Sequence, residues 1–292
     1  MHPFLDKQLT FLEWIAKTRG SFLDHILLFW NFFDTPIFFL LLVPFIWIGL
    51  SWKWGSRLFY LVILSGFTNH LLKELFAVPR PCFWSPEIAL IPCRSYSFPS
   101  GGAQTAALLA GFIWLSYPKP WAKTVAIVFA LCMGASRFLL GVHYPTDVLG
   151  GYFVGLALII AFSYAHRPIA LAVTRKPYLS LGICSFVCLF LSFFVSLKTV
   201  ILFGVLLGGS VGVFTSGMFF LYLPDPRHAI PAILRGCFGV LGAYIIWSLF
   251  PALLKNTNPW ILFFEGFTLA LWVSLFAHIL LKGLLPIGAI HK

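Results

Sequence analysis

Apolar residues in this chain run in blocks, and the blocks have the length of a membrane crossing. A spanning helix needs about 20 mostly apolar residues, and such stretches recur at about 35–52, 57–77, 100–117, 121–139, 146–165, 178–197, 199–222, 231–250 and 259–282. Inside lipid every backbone polar group must be satisfied within the protein, so the pattern predicts an all-α, polytopic membrane helical bundle. Ahead of the first block, Leu5, Leu9, Leu12 and Ala16 recur at helical spacing, with Asp6, Lys7, Glu13 and Lys17 elsewhere on the wheel. Too short and too charged to span, residues 4–18 are expected to lie in the membrane interface. A second short apolar-aromatic stretch, 21–33, ends at Asp34-Thr35-Pro36, a helix-start signal. The longest linker, roughly 20 residues between the second and third blocks, carries Pro79, Pro81, Pro86 and Pro92.

Polar residues cluster at block ends. They read Lys73-x6-Arg80-Pro81, then Pro99-Ser100-Gly101, then Ser136-Arg137-x5-His143-x3-Asp147. An ionisable group at a membrane segment is costly to keep and therefore points to function. Three cations with one imidazole suggest an anion site, phosphate above all: lysine supplies a mobile point charge, arginine a planar fork. Ser100 and Gly101 open the third block, where unpaired backbone N–H groups and the helix dipole favour an anion. Gly101 lets the backbone approach it closely.

This three-part pattern resembles the PAP2 (type 2 phosphatidic acid phosphatase) superfamily, whose signature is K-x6-R-P, P-S-G-H and S-R-x5-H-x3-D. The resemblance covers roughly residues 20–197 and departs at one place: Gly102 stands where the family carries a histidine. It implies a six-helix core with about three further C-terminal transmembrane helices. The implied divisions are interfacial N-terminal helices in 1–34, a catalytic core in 35–197 and an extension in 198–292. It also implies that His143 attacks phosphorus to form a phosphohistidine, that Asp147 orients it, and that Lys73, Arg80, Ser100, Gly101 and Arg137 bind the substrate phosphate. The missing side chain at Gly102 is the one that protonates the leaving oxygen and helps admit water. General-acid help of that kind is worth roughly 10²–10⁴ in rate. A diphosphate, whose leaving group is weakly basic, needs it least. Gln104 is close enough to donate a hydrogen bond but cannot supply a proton, and the sequence leaves open whether His70 and Arg94 approach the site. No metal or cofactor is implied.

The expected function is a membrane phosphatase acting on a lipid phosphate or diphosphate, such as a polyprenyl carrier. A lipid phosphotransferase using the same site is one alternative. A catalytically weak lipid-phosphate binder or transporter is the other. Retention of His143 and Asp147 argues against the last, since binding needs cations but no nucleophile pair.

Composition changes this picture little. Of 292 residues, 60% are hydrophobic and only 10% charged, against roughly a quarter charged in soluble domains. The net charge of +11 could signal nucleic acid, but the basic residues are scattered between apolar blocks, which fits topology and anionic lipid contact better. Lys53, Arg57, Lys119, Lys123, Arg167, Arg175, Lys176, Arg227, Arg235, Lys282 and Lys292 collect on one side. Lys7, Lys17, Arg19, Arg94, Lys198 and Lys255 collect on the other, the motif cations set aside. The larger group should face the cytoplasm and the motifs the opposite side, the periplasm if the membrane is a bacterial inner one. No cleavable signal peptide is read at the N-terminus. Cys82 and Cys93 share the long loop and form either a disulfide or two free thiols. Cys132, Cys184, Cys188 and Cys237 read as packing residues, with no metal site at Cys184-x3-Cys188. Gly204, Gly208 and Gly212, with Gly236, Gly239 and Gly242, are close-packing positions, either within the chain or as the face of a homo-oligomer. Glu265 and His278 are intramembrane polar residues expected to be packed or snorkelling.

Overall fold

Proline opens half of the α-helices. The computed structural model describes residues 3–195, 197–253 and 258–284. Its α-helices are α1 (Pro3–Thr18), α2 (Ser21–Asn31), α3 (Pro36–Pro44), α4 (Trp52–Phe76), α5 (Gly101–Ser116) and α6 (Pro120–Leu139). They continue with α7 (Pro145–Arg175), α8 (Pro177–Ser192), α9 (Leu197–Met218), α10 (Ala229–Leu253), α11 (Pro259–Leu271) and α12 (Ala277–Leu284). Pro36, Pro120, Pro145, Pro177 and Pro259 each open a helix, at the position where a missing N–H costs nothing. Short π-helical turns, Phe45–Leu50 and Trp272–Phe276, extend α3 and link α11 to α12. Helix α4 stops at Phe76, followed by Ala77 in the left-handed region.

Among the described residues, each of the nine blocks is helical over most of its length, and the protein is an integral membrane helical bundle. Among the described residues, by length and composition alone, five helices could cross a membrane: Pro120–Leu139, Pro145–Arg175, Thr199–Met218, Ala229–Phe250 and Pro259–Leu284. A sixth is added if Ser21–Asp34 and Pro36–Leu50 are taken together. The count of nine is therefore not reached on that criterion. Helix α4 carries Lys53, Arg57, Lys73 and Glu74, and α5 and α8 have only 16 residues each.

The chain divides into two compact units, Met1–Phe38 with Leu64–Ala165 and Phe39–Ile63 with His166–Lys292. These cut differently from the 1–34, 35–197 and 198–292 division: the N-terminal helices join α5 and α6, and α8 joins the C-terminal helices.

In the first unit, α5 and α2 both pack on α6. Ala106, Ala130 and Met133 form a small buried cluster there, with Trp30, Phe33 and Phe129 against it. Helix α7 approaches α5 closely. A Cβ on Gly151 would stand 2.5 Å from the Ser100 carbonyl oxygen, and one on Gly155 would stand 2.3 Å from that of Gln104. The leucine stripe of α1 does not face lipid as expected. Leu12 is buried with Ile88 and Tyr144, and Leu5, Leu9 and Ala16 pack around them. Phe4, Phe11 and Trp14 are the exposed apolar residues of α1. The long loop is tied down from both sides. Cys82 and Cys93 form a disulfide. Arg19 donates to the carbonyls of Leu139 and Ile88, each at 2.8 Å, and Glu13 accepts from Ser85 at 2.6 Å.

In the second unit, α9 packs along α11 through its glycines. A Cβ on Gly204 or Gly208 would lie 2.0 or 2.2 Å from the carbonyl oxygens of Phe263 and Phe267. Gly236 and Gly239 face Phe45 and Ile48, and Gly242 faces Trp272. These glycine faces are covered within the chain, so an oligomer would need another surface. Glu265 and His278 are both buried, and His278 Nδ1 lies 3.5 Å from the Leu223 amide. Lys255 and Lys292 fall outside the described residues, as does the side chain of Lys198.

Substituting Gly208→Ala pushes a methyl into the Phe267 carbonyl and should destabilise the protein by about 1–3 kcal/mol, typical of overpacking. The check is thermal unfolding in detergent followed by tryptophan fluorescence, with size-exclusion light scattering alongside. The melting midpoint should fall while the oligomeric state stays the same. Loss of a dimer at unchanged midpoint would put this face between chains.

Candidate active site

Four helix ends supply the motif residues. Lys73 lies in the last turn of α4 and Arg137 in the last turn of α6, where cations complement the helix dipole. Ser100 caps α5, and Asp147 lies in the first turn of α7, where an anion is favoured. Arg80 and His143 come from the intervening loops. Gly141, in the left-handed region at φ +74°, makes the turn that delivers His143. A Cβ there would stand 2.3 Å from the Ile88 carbonyl oxygen, so only glycine fits.

Lys73, Arg80, Ser100, His143 and Asp147 are linked through residues 95–97 and 142 and the Ser100–Asp147 backbone bond, while the Arg137 side chain bonds to Asn31, Asp34 and Ser136. His143 and Asp147 are buried, with the imidazole Nδ1 3.4 Å from Asp147 Oδ2. That same oxygen accepts from the Tyr144 amide at 2.7 Å and from the Ser97 hydroxyl in a short hydrogen bond. Ser97 Oγ also lies 3.4 Å from His143 Nδ1. A carboxylate can only accept, so its partner nitrogen Nδ1 carries the proton and Nε2 carries the lone pair. Burial, then the positive charge of Arg80, pull the imidazole pKa from 6.5 down to about 3, against the opposing hydrogen bond to Asp147. The ring is therefore neutral at neutral pH, the form in which it is a nucleophile.

The cations are held largely by carbonyl oxygens. Lys73 Nζ donates to Tyr96 O at 2.6 Å and Ser97 O at 3.3 Å. Arg80 donates to Ser95 O at 2.8 Å, to Ser95 Oγ at 3.1 Å and to Val142 O at 3.2 Å, which ties its loop to the residue before His143. Burial lowers the Arg80 pKa, opposed by the nearby carboxylates of Asp34 and Asp147. The Ser100 amide donates to Asp147 O at 3.0 Å, while the Ser100 hydroxyl is fully buried without a hydrogen-bond partner. An orphan donor beside these cations is what a bound anion would satisfy.

Gln104 is not available to a substrate, contrary to expectation. Its Nε2 donates to Ser65 O and Oγ at 2.9 and 2.8 Å, and its Oε1 accepts from Asn69 at 2.9 Å. Asn69 also donates to Pro99 O at 3.2 Å, so this amide pair fastens α4 to the start of α5. Arg94 is exposed, and His70 sits half-buried on α4.

Sequence reasoning missed Asp34. Arg137 is almost wholly buried, and its Nη1 donates to Asp34 Oδ2 and Asn31 Oδ1, each at 3.0 Å. Its Nε and Nη2 both donate to Ser136 Oγ. The Asp34 carboxylate lies against Gly102: a Cβ added there would stand 3.0 Å from Asp34 Cγ and Oδ2 and 2.9 Å from Arg137 Cδ. Asp34 had been read only as a helix-start signal. A usable hint was that it is one of only nine acidic residues in the chain.

Comparison with known proteins agrees with the motif reading. Residues 54–170 match the PAP2 superfamily. Phosphatidylglycerophosphatase B of Bacillus subtilis (strain 168) is 38% identical over 115 residues, 36% of this chain and 55% of that protein. Undecaprenyl-diphosphatase BcrC of the same organism is 30% identical over 164 residues, 54% of this chain and 83% of that protein. A crystal structure of a transmembrane PAP2-type phosphatidylglycerolphosphate phosphatase from Bacillus subtilis superposes with TM-score 0.49 and 27% identity, covering 58% of this chain and 89% of that one. This chain thus spans about half the length of the first of these relatives and most of the second. It belongs to the PAP2 superfamily.

The imidazole makes a spectroscopic prediction. Because its pKa in the folded protein lies below 6.5, the folded state binds fewer protons than the unfolded state between pH 6.5 and about 3. Stability is thus lost as pH falls through that window. In ¹⁵N spectra of histidine-labelled, ligand-free protein, His143 should remain neutral at pH 5. A midpoint between pH 6 and 7 would show that the ring is hydrated.

Proposed function

We propose that this protein is a membrane phosphatase that transfers a phosphoryl group from a lipid diphosphate or lipid phosphate to His143 and then to water. The observation that carries the reading is the buried His143–Asp147 pair, with Nδ1 held and the ring neutral, in one network with Lys73, Arg80 and Ser100. Phosphoryl transfer is mostly positioning and charge stabilisation, and this network provides both. Lys73, Arg80 and Arg137 would hold the phosphate, the Ser100 hydroxyl and the N-terminus of α5 would donate to it, and His143 Nε2 would attack in line. Gly101 keeps the helix start open to the anion.

Gly102 steers the substrate class. No side chain at that position can protonate a leaving alkoxide, whereas a lipid monophosphate leaves a diphosphate without such help. That favours a diphosphate, and a polyprenyl diphosphate is consistent with the undecaprenyl-diphosphatase relative. The basic-residue distribution supports a non-cytoplasmic site, the periplasm in a bacterial inner membrane. A disulfide in the loop that carries Arg80 supports the same placement, since such bonds persist in oxidising compartments. The exposed Phe4, Phe11 and Trp14 of α1 fit a membrane-interface position for the N-terminal helices.

Phosphate release from detergent-solubilised protein tests the reading. Turnover of farnesyl diphosphate should exceed that of phosphatidic acid by at least about tenfold, a conservative share of the roughly 10²–10⁴ that general-acid help supplies. His143→Ala should abolish turnover, and Asp147→Asn should lower it by roughly 10²-fold or more without unfolding the protein. Full activity in His143→Ala would exclude the phosphohistidine route. Lipid binding without turnover in the wild-type protein would favour a binder, and phosphate passed to an added acceptor alcohol in preference to water would favour a transferase.

A further inference from the structure

The place that a side chain at Gly102 would fill is not empty. It is filled by Arg137, whose Cδ stands 2.9 Å from where the Cβ would be, and, from another part of the chain, by the Asp34 carboxylate at 3.0 Å. An imidazole built on residue 102 would extend through that same volume. We propose that Asp34 is the catalytic base of the second half-reaction, taking a proton from the water that hydrolyses phospho-His143. This inference rests on the phosphohistidine reading above.

Three observations converge on it. First, Asp34 is placed by contact with the site itself: it shares Arg137 Nη1 with Asn31 and lies close enough to Arg80 to favour that charge too. Second, its side chain is 31% exposed, whereas Arg137, His143 and Asp147 are nearly fully buried, so of these groups it is the one with surface left outside the protein. Third, Asp147 is already occupied, with one oxygen accepting from Ser97 and the Tyr144 amide and facing His143 Nδ1. It orients the nucleophile and is badly placed to serve water on the other side of the phosphate.

The chemistry divides accordingly. In the first step, His143 Nε2 forms a bond to the terminal phosphorus. The bridging P–O bond breaks, and the lipid monophosphate departs with the electron pair and needs no proton. In the second step, water oxygen bonds to phosphorus, the P–Nε2 bond breaks and its electron pair returns to Nε2. The water proton passes to Asp34, which later releases it to solvent, and inorganic phosphate leaves. An ionised carboxylate can accept a proton and has none to donate. Asp34 therefore replaces the base function lost with Gly102 and not the acid function, which the diphosphate makes unnecessary.

The experiment uses the full-length protein in detergent with farnesyl diphosphate labelled with ³²P in its terminal phosphate. Asp34→Asn should release one equivalent of farnesyl monophosphate per protein in a burst. It should then hold acid-labile, base-stable label on His143, with hydrolysis of that label slowed about 10²–10⁴-fold and its formation rate little changed. Asp34→Glu should regain part of the turnover. The swap variant Asp34→Ala/Gly102→His returns a base to the same volume from α5 and should turn over faster than Asp34→Ala alone. Wild-type turnover in Asp34→Asn would overturn the proposal. So would slowed formation and raised KM with normal decay of the label, which is what a mere counterion of Arg137 would give. If Asp34→Asn does not fold, the swap variant decides, and a folded swap variant without turnover rejects the proposal. A wild-type protein that releases phosphate but never carries label on His143 would instead sink the parent mechanism.

Discussion

Charge in a place with little water is the constraint on which this structure turns. Lys73, Arg80 and Arg137 meet at one set of helix ends with two carboxylates, Asp34 and Asp147, and a neutral imidazole. Burying a charge costs several kcal/mol unless it is paired and hydrogen-bonded. The chain meets this cost in two ways. Arg137 receives a carboxylate. Lys73 and Arg80 donate to backbone carbonyls of Tyr96, Ser97, Ser95 and Val142, which fix their direction while adding no negative charge. Three cations against two carboxylates leave the cluster positive, a condition that a phosphate dianion relieves.

The surrounding fold holds those helix ends still. Gly151 and Gly155 let α7 lie against the first turns of α5, and the Asn69–Gln104–Ser65 amide network locks α4 to the same turns. The N-terminal helices secure the other side. Arg19 spans the Ile88 and Leu139 carbonyls, Leu12 packs on Tyr144 beside His143, and Gln8 accepts from Thr146 one residue before Asp147. Segments that look like mere membrane anchors are thus the outer wall of the site.

Much of this was legible in the sequence because its signals are local. Helix ends follow proline and apolar block length, and Lys73, Arg80, Ser100, Arg137, His143 and Asp147 stand at spacings that place them at same-side ends. The structure links all but the Arg137 side chain into one network. What stayed hidden depended on contacts distant along the chain. Nothing in the spacing of Asp34 says that it will meet Arg137 more than 100 residues later. The leucines of α1 have the same periodicity whether they face lipid or Ile88. Gln104 looks like a spare donor until Ser65 and Asn69 consume it. Whether Cys82 and Cys93 pair, and whether the glycines of α9 pack inward or between chains, were likewise open until the backbone positions were known.

The seat of the Asp34 carboxylate beside Gly102 has a bearing on how members of such families are compared. An alignment column records what is attached to one backbone position, and residue 102 of this chain is a glycine with no side chain to record. The reaction responds to what occupies a volume, and here that volume is filled in part from residue 34, ahead of the 54–170 stretch that matches the family. A census of columns would file this protein among the disabled. A census of filled space would ask which other members with a gap at this column have an acidic residue in the segment preceding it.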